Sequence, residues 1–327
     1  MSTVYILTPV AKTGGIEAIF QLAHALESIG VTARLLPGEL AMDSERHIRA
    51  NGPADFAQTY PEYGVTCVHQ AHLLPQDSIV VPEVYIRFHG ELRRLACRRY
   101  IWWLSLDNAF YGDLGAWRDH PLFAEGSARD FVHLYQSFYA AAFLHGRGVL
   151  QAHELKCYVN GLFSGGAGPA GVQERQPVIL YNPRKDDVFW RILARQCPEL
   201  RFQPLQGLSP DEMKQVFATS RVYIDFGSHP GMDRIPREAA LNGLVVMTGL
   251  RGAAGNLVDV PIHRDFKFRD DEVESGHCAQ ALRHIVADYD AQVARQDGYR
   301  RWIAGQRQAF DLAVRTVWGG DGSAKCG

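Results

Sequence analysis

A strand-to-helix loop in the C-terminal half combines residue types that suit an anion-binding site. The apolar run 221–226 predicts a strand, and residues 235–242 predict a helix. Backbone N–H groups at the start of such a helix attract anions. Gly231 would let a ligand approach the loop backbone, and Asp233 and Arg234 place charges beside it.

Glu238 lies inside the predicted helix, followed by two alanines. A carboxylate at this position can accept two hydrogen bonds from the diol of a ribose. It can equally be a solvated residue on the outside of the helix. The residue types leave both interpretations open.

Arg184 and Lys185 follow the apolar run 177–181, which predicts the first strand of the C-terminal half. Arginine offers a planar fork and lysine a point charge, a pair suited to a diphosphate. The alternative is a solvated turn capped by Asp186. Ligands of parallel α/β sheets bind at the carboxyl ends of strands, so the position of the pair favours a diphosphate site.

Two further candidates lie in the N-terminal half. Asp107 follows the predicted strand 100–106, where it could act as a base, bind a substrate or cap a turn. His69 follows the predicted strand 65–68, and two other histidines lie near strand ends. Each histidine is either catalytic or structural.

The N-terminal half opens as a strand, a loop ending at Gly15, a helix and a second strand. This βαβ unit predicts a parallel sheet. Residues 41–63 are polar and irregular, which predicts insertion loops. The predicted elements of this half are strands 4–7, 31–36, 65–68, 79–81, 100–106 and 131–135, with a helix over 16–29.

The 327 residues are too many for one ordinary core, so we predict two Rossmann-like α/β domains with a cleft between them. The N-terminal domain spans 1–163 and a Gly/Pro-rich linker spans 164–175. The C-terminal domain spans 176–318, with helices from 279 onward, and a tail spans 319–327.

Composition excludes several classes of protein. A net charge of -2 argues against broad nucleic-acid binding. None of the six cysteines forms a C-x-x-C pair, so we expect no metal and no redox site. The apolar runs predict neither a signal peptide nor a membrane span. We therefore expect a cytoplasmic protein, and an arginine cluster on a predicted helix is compatible with peripheral contact with anionic lipid: Arg93, Arg94, Arg98 and Arg99.

Residues 225–249 resemble the donor-binding segment of a large retaining family of GT-B glycosyltransferases, which includes many enzymes of bacterial polysaccharide and lipopolysaccharide synthesis. Pro230 departs from the pattern, since the family usually has a glutamate eight positions before the one that matches Glu238. The loop, helix and strand of the family's donor-binding segment are matched by Ser228, Gly231, Pro236, Glu238, Ala239, Gly243, Val245 and Val246.

The resemblance implies a GT-B fold and a nucleotide diphosphate sugar as the donor, with no other cofactor. It implies that Glu238 binds the donor ribose and that Arg184 and Lys185 bind the diphosphate. It places Gly15 in a glycine loop near the donor phosphates and a saccharide or glycolipid acceptor. Asp233 or a neighbouring histidine would replace the missing glutamate.

Two other functions fit the same two-domain design. A nucleotide-sugar 2-epimerase would need a set of catalytic carboxylates and histidines that the sequence does not identify. A non-catalytic nucleotide-sugar-binding protein is compatible with the missing glutamate.

Overall fold

The computed structural model describes residues 2–110, 114–160, 175–185 and 188–319. The chain divides into two compact units. The first comprises residues 1–157, 230–232 and 308–327, and the second comprises 158–229 and 233–307. Within the described ranges, no helix has both the length and the apolar character that crossing a bilayer requires.

A six-stranded parallel sheet forms the centre of the first unit, in the order β2-β1-β6-β7-β8-β9. The predicted βαβ start is confirmed, and Thr13 begins its helix by accepting a hydrogen bond from the Ile16 N–H at 3.4 Å. Trp102 and Trp103 are fully buried in the core. The elements of this part of the chain are β1 (Thr3–Thr8), α1 (Gly14–Ser28), β2 (Thr32–Pro37), β3 (Leu40–Met42), β4 (His47–Ala50), β5 (Gln70–His72), β6 (Ser78–Pro82), α2 (His89–Leu92), β7 (Arg98–Trp103), α3 (Pro121–Ala124), β8 (Val132–Tyr135), α4 (Phe138–His145) and β9 (Ala152–Glu154).

Strands β3, β4 and β5 form a separate antiparallel sheet in the first unit. The prediction that residues 41–63 are only insertion loops is therefore wrong. Buried and exposed residues alternate along β4, as in a strand with one face in the core. The predicted strand 65–68 is also wrong, because it contributes one isolated bridge from Cys67 to Leu35.

The predicted helix that carries four arginines is wrong in part. Helix α2 ends at Leu92, and Arg98 opens strand β7. Two of the arginines have local partners that account for them. Arg93 forms an ion pair with Asp130 at 2.6 Å, and Arg99 donates to the Leu95 carbonyl at 3.0 Å.

The second unit contains a four-stranded parallel sheet in the order β11-β10-β12-β13. The predicted helix start at Ser209 is confirmed as a capping box with Glu212. The remaining elements of the chain are β10 (Gln176–Tyr181), α5 (Phe189–Gln196), β11 (Arg201–Pro204), α6 (Pro210–Thr219), β12 (Ser220–Asp225), α7 (Arg234–Leu241), β13 (Val245–Thr248), α8 (Asp270–Glu274), α9 (His277–Ala287), α10 (Tyr289–Ala294), α11 (Asp297–Ala304) and α12 (Gln306–Trp318).

The boundaries of the units differ from the predicted domains at three places. The second unit begins at Tyr158, inside the predicted N-terminal domain. Residues 230–232 belong to the first unit, and the division near the C-terminus falls inside α12. In this part of α12, Phe310 and Val314 are buried, and Trp318 lies against Tyr100 with ring centroids 5.3 Å apart. Of the predicted linker 164–175, only residue 175 lies within the described residues, and of the predicted tail only residue 319 does.

Candidate functional site

Two neighbouring strands of the second unit bring the predicted diphosphate and anion loops to one edge of its sheet. Strands β10 and β12 pair in parallel, with Tyr181 opposite Ile224. Because parallel strands end at the same edge, residues 182–185 and 226–229 leave the sheet side by side.

Four charged side chains meet at this edge and form what we call the strand-end network: Lys185, Asp225, His229 and Asp233. The Lys185 ammonium is paired with Asp233 and lies 3.5 Å from Asp225. His229 bridges the two carboxylates, with Nδ1 2.7 Å from Asp233 and Nε2 3.4 Å from Asp225. Asp225 and His229 are buried, and Asp233 is partly buried.

The network contains two positive and two negative groups at neutral pH. Burial alone would lower the pKa of His229, but the charge of Asp225 and hydrogen bonds to both carboxylates raise it to about 9. Burial opposes ionisation of Asp225, yet the charges of His229 and Lys185 hold its pKa well below the usual range. The two carboxylates likewise raise the pKa of Lys185 against the effect of burial.

The ligand atoms of Asp225, His229 and Asp233 lie within 4.8 Å of one another, close enough for one metal ion. In this arrangement the Lys185 ammonium already lies against both carboxylates. A protonated His229 offers no lone pair to a metal. A metal ion would therefore have to displace Lys185 and deprotonate the imidazole. The expectation of no metal stays a prediction.

Glu238 is not the solvated helix residue that the sequence allowed. It is 3% exposed in α7 and is paired with Arg234, one turn earlier in the same helix. The predicted contact with a ribose stays a prediction.

Arg184 and Ser228, both in the predicted donor site, are exposed at the same sheet edge. The Arg184 N–H donates to the Asn182 side-chain oxygen at 3.1 Å, which fixes the turn after β10. Gly227 packs so closely on the Lys185 backbone that a side chain would collide with it. The proposed cap Asp186 lies outside the described residues.

Gly231 belongs to the first unit, where its backbone forms an antiparallel bridge with Ser105. A side chain here would collide with the Leu104 carbonyl oxygen. The Leu106 N–H also donates to the Pro230 carbonyl at 2.8 Å. The close approach that this glycine permits is thus to protein backbone, and its predicted contact with the donor stays a prediction.

The other candidates of the first unit are not brought to one place. Gly15 lies in the first turn of α1, and Asp107 follows β7 and accepts a hydrogen bond from the Tyr139 hydroxyl at 3.0 Å. His69 is exposed and precedes the antiparallel strand β5. His69 therefore does not follow a strand of the parallel sheet, and its predicted position at such a strand end is wrong.

Three buried polar residues near these elements were not among the candidates predicted from the sequence. Glu83 accepts from the Leu104 N–H at 2.9 Å, and burial raises its pKa to about 7, opposed by backbone hydrogen bonds. Gln136 accepts from the Met232 N–H at 3.3 Å. Asp225 was seen only as the end of a strand, although Asp225, His229 and Asp233 recur every four residues, a spacing that could have drawn attention to them.

Solved structures share the fold over nearly the whole chain. A glycosyltransferase from Rickettsia africae matches with a TM-score of 0.64 at 11% identity, over 97% of each chain. HepE from Anabaena, solved with UDP-glucose, matches with a TM-score of 0.68 at 11% identity, over 98% of this chain and 100% of HepE. The UDP-forming α,α-trehalose-phosphate synthase from Burkholderia vietnamiensis matches with a TM-score of 0.61 at 12% identity, over 97% and 100% of the two chains. This chain has the GT-B fold.

The GT-B fold confirms the predicted α/β class with parallel sheets. No protein-family profile matches the chain, and no curated protein sequence matches it. The predicted cleft and the roles of individual residues stay predictions.

Proposed function

We propose that this protein is a glycosyltransferase that moves a sugar from a nucleoside diphosphate sugar to a saccharide or glycoconjugate acceptor. The observation that carries the proposal is the meeting of Arg184, Lys185 and the strand-end network at the carboxyl edge of one parallel sheet. The GT-B fold, shared with a protein solved with UDP-glucose, supports this type of donor. The resemblance of residues 225–249 to enzymes of bacterial polysaccharide synthesis supports a surface polysaccharide or its precursor as acceptor.

The charges at this edge suit a departing diphosphate. Negative charge grows on the diphosphate as the bond to the sugar breaks, and fixed cations stabilise it most at that point. The exposed Arg184 offers a fork to two phosphate oxygens. Asp225 and Asp233 hold the Lys185 side chain in one orientation, so its ammonium needs little reorganisation as the diphosphate departs.

Glu238 is proposed to bind the donor ribose, with Arg234 as its buried counterion. In the first unit, Asp107 is proposed as the base or the acceptor-binding group. Its bond from the Tyr139 hydroxyl fixes the direction of its carboxylate.

The first test is binding and turnover of a panel of nucleoside diphosphates and their sugars. We expect at least one nucleoside diphosphate to raise the unfolding temperature and its sugar to be slowly hydrolysed without acceptor. Arg184→Ala should lower kcat/KM by the factor that corresponds to a loss of about 2 to 4 kcal/mol of transition-state stabilisation.

Arg195→Ala is the matched control, because Arg195 is exposed at the far end of α5. It should leave donor kinetics unchanged. Equal kinetics in wild type and Arg184→Ala would move the diphosphate site elsewhere. Nucleotide binding with no turnover of any donor would instead support a binding protein.

A further inference from the structure

Lys267 is a buried lysine in the second unit that the proposed chemistry does not use. It is 2% exposed and forms a bridge with Thr248 at the end of β13. Its ammonium donates to the Ala254 carbonyl at 2.8 Å and to the Asn256 carbonyl at 2.7 Å. Burial lowers the pKa of Lys267 to about 8, with Asp259 acting in the opposite direction.

The turn that Lys267 holds is itself fastened to the strand-end network. Residues Gly252–Gly255 form one turn of 3-10 helix, and the Ala253 N–H donates to the His229 carbonyl at 2.8 Å. Gly252 has a left-handed φ of 57°, and a side chain there would collide with the same carbonyl. Arg251 reaches back to the Phe226 carbonyl at 2.9 Å. This turn thus holds both the loop before His229 and the carbonyl of His229.

We propose that Lys267 is a positioning residue for the strand-end network. It holds the turn at Ala254 and Asn256, and the turn holds the backbone of His229 through Ala253. The imidazole is thereby kept between Asp225 and Asp233, beside Lys185 of the proposed diphosphate site. This inference rests on the proposed function and adds a residue whose ammonium acts on the network through the backbone of the turn.

The chemistry of the contact favours a positioning role over a general stabilising one. A buried ammonium is costly to desolvate, and this cost offsets much of the stability that its two hydrogen bonds contribute. One ammonium that donates to two carbonyl oxygens also fixes the shape of a turn that lacks the regular hydrogen bonds of a sheet. Methionine at this position would fill the space but make neither bond.

The test compares Lys267→Met with wild type in the full chain. We expect hydrogen exchange at the Ala253 amide to accelerate at least tenfold, and affinity for the nucleoside diphosphate found in the panel to fall about tenfold. The unfolding temperature should also fall, because the Ala254 and Asn256 carbonyls lose their donor. Lys214→Met, which replaces a partly exposed lysine of α6 in the same unit, should change none of the three.

Gly252→Ala disrupts the contact between the turn and the His229 carbonyl. It is the second test of the proposal if Lys267→Met does not fold. It should give the same loss of affinity and the same faster exchange. Unchanged exchange at Ala253 in Lys267→Met, or in Gly252→Ala where Lys267→Met does not fold, overturns the positioning role. Absence of nucleotide binding in wild type would overturn the proposed function instead, and the exchange measurement would still decide the role of Lys267.

Discussion

His229 is a cation because two carboxylates lie on either side of it. Its pKa in the folded protein, about 9, is above the value near 6.5 of an unfolded chain. The folded state therefore binds this proton more tightly, and the resulting stability is complete below about pH 6.5 and lost as the pH rises through 9. The depressed pKa of Asp225 acts at the other end, because its contribution is lost as the pH falls below about 4.

Replacing His229 by asparagine tests this reasoning. The free energy of unfolding should fall most between about pH 4 and 6.5, and the difference from wild type should shrink by about 2 to 3 kcal/mol towards pH 9. Urea unfolding at pH 5.5, 7.5 and 9 measures it. His145→Asn, at an exposed histidine of α4, should show no such trend. A difference that is constant across pH would mean that His229 is neutral in the fold.

At the scale of elements, the segment 230–232 pairs with the backbone and side chains of the first unit. Gly231 bridges Ser105, and the Met232 N–H donates to Gln136, whose own amide contacts Cys157 at 2.8 Å. This backbone pairing leaves no space for a side chain at the glycine.

We expect Gly231→Ala to lower the free energy of unfolding by about 2 to 4 kcal/mol, because the backbones must separate to make room. Gly90→Ala is the control, since a side chain there meets nothing within 4 Å and the φ is ordinary. Thermal unfolding compares the two. Equal transition temperatures would show that the segment can shift without cost.

Elements differ in how far sequence alone predicts them. Buried parallel strands such as β1 and β6 are uninterrupted apolar runs, so their positions could be predicted. Strands β4 and β5 have three or four residues with polar side chains on alternate positions, and such short patterns are indistinguishable from loops. Their pairing depends on contacts between distant residues.

The candidate site was predictable in the same partial way. Arg184 and Lys185 were predicted because they follow a strand, and Glu238 because it matches a glutamate of the family that residues 225–249 resemble. Their roles stay predictions. That Lys185 would be paired with Asp233 depends on β10 and β12 being neighbours, which nothing in the residue spacing states. Lys267 gave no signal, because a lysine between two phenylalanines has no pattern of its own.

At the scale of the whole molecule, the first unit takes its last helical element from the end of α12. Phe310 and Val314 are buried there, and Trp318 packs on Tyr100. These side chains are part of the apolar surface that the fold removes from water.

A chain ending at Arg307 should therefore be less stable, by roughly 4 kcal/mol or more if each large buried side chain contributes about 1.5 to 3 kcal/mol. A chain ending at Gly319 keeps all of α12 and is the control. Thermal unfolding and soluble yield measure the loss. Identical transitions for the two truncations would show that the end of α12 contributes no measurable stability to the first unit.

The same helix sets an order of events during protein synthesis. Strands β1 to β9 leave the ribosome first, yet the aromatic surface around Tyr100 stays uncovered until the entire second unit and the helix after it have been translated. Domains usually fold as they emerge, whereas here the first to emerge is completed last. The nascent chain thus carries a parallel sheet with an uncovered aromatic surface while the second unit is translated, so slow decoding over the second unit lengthens the interval in which chaperones must shield that surface.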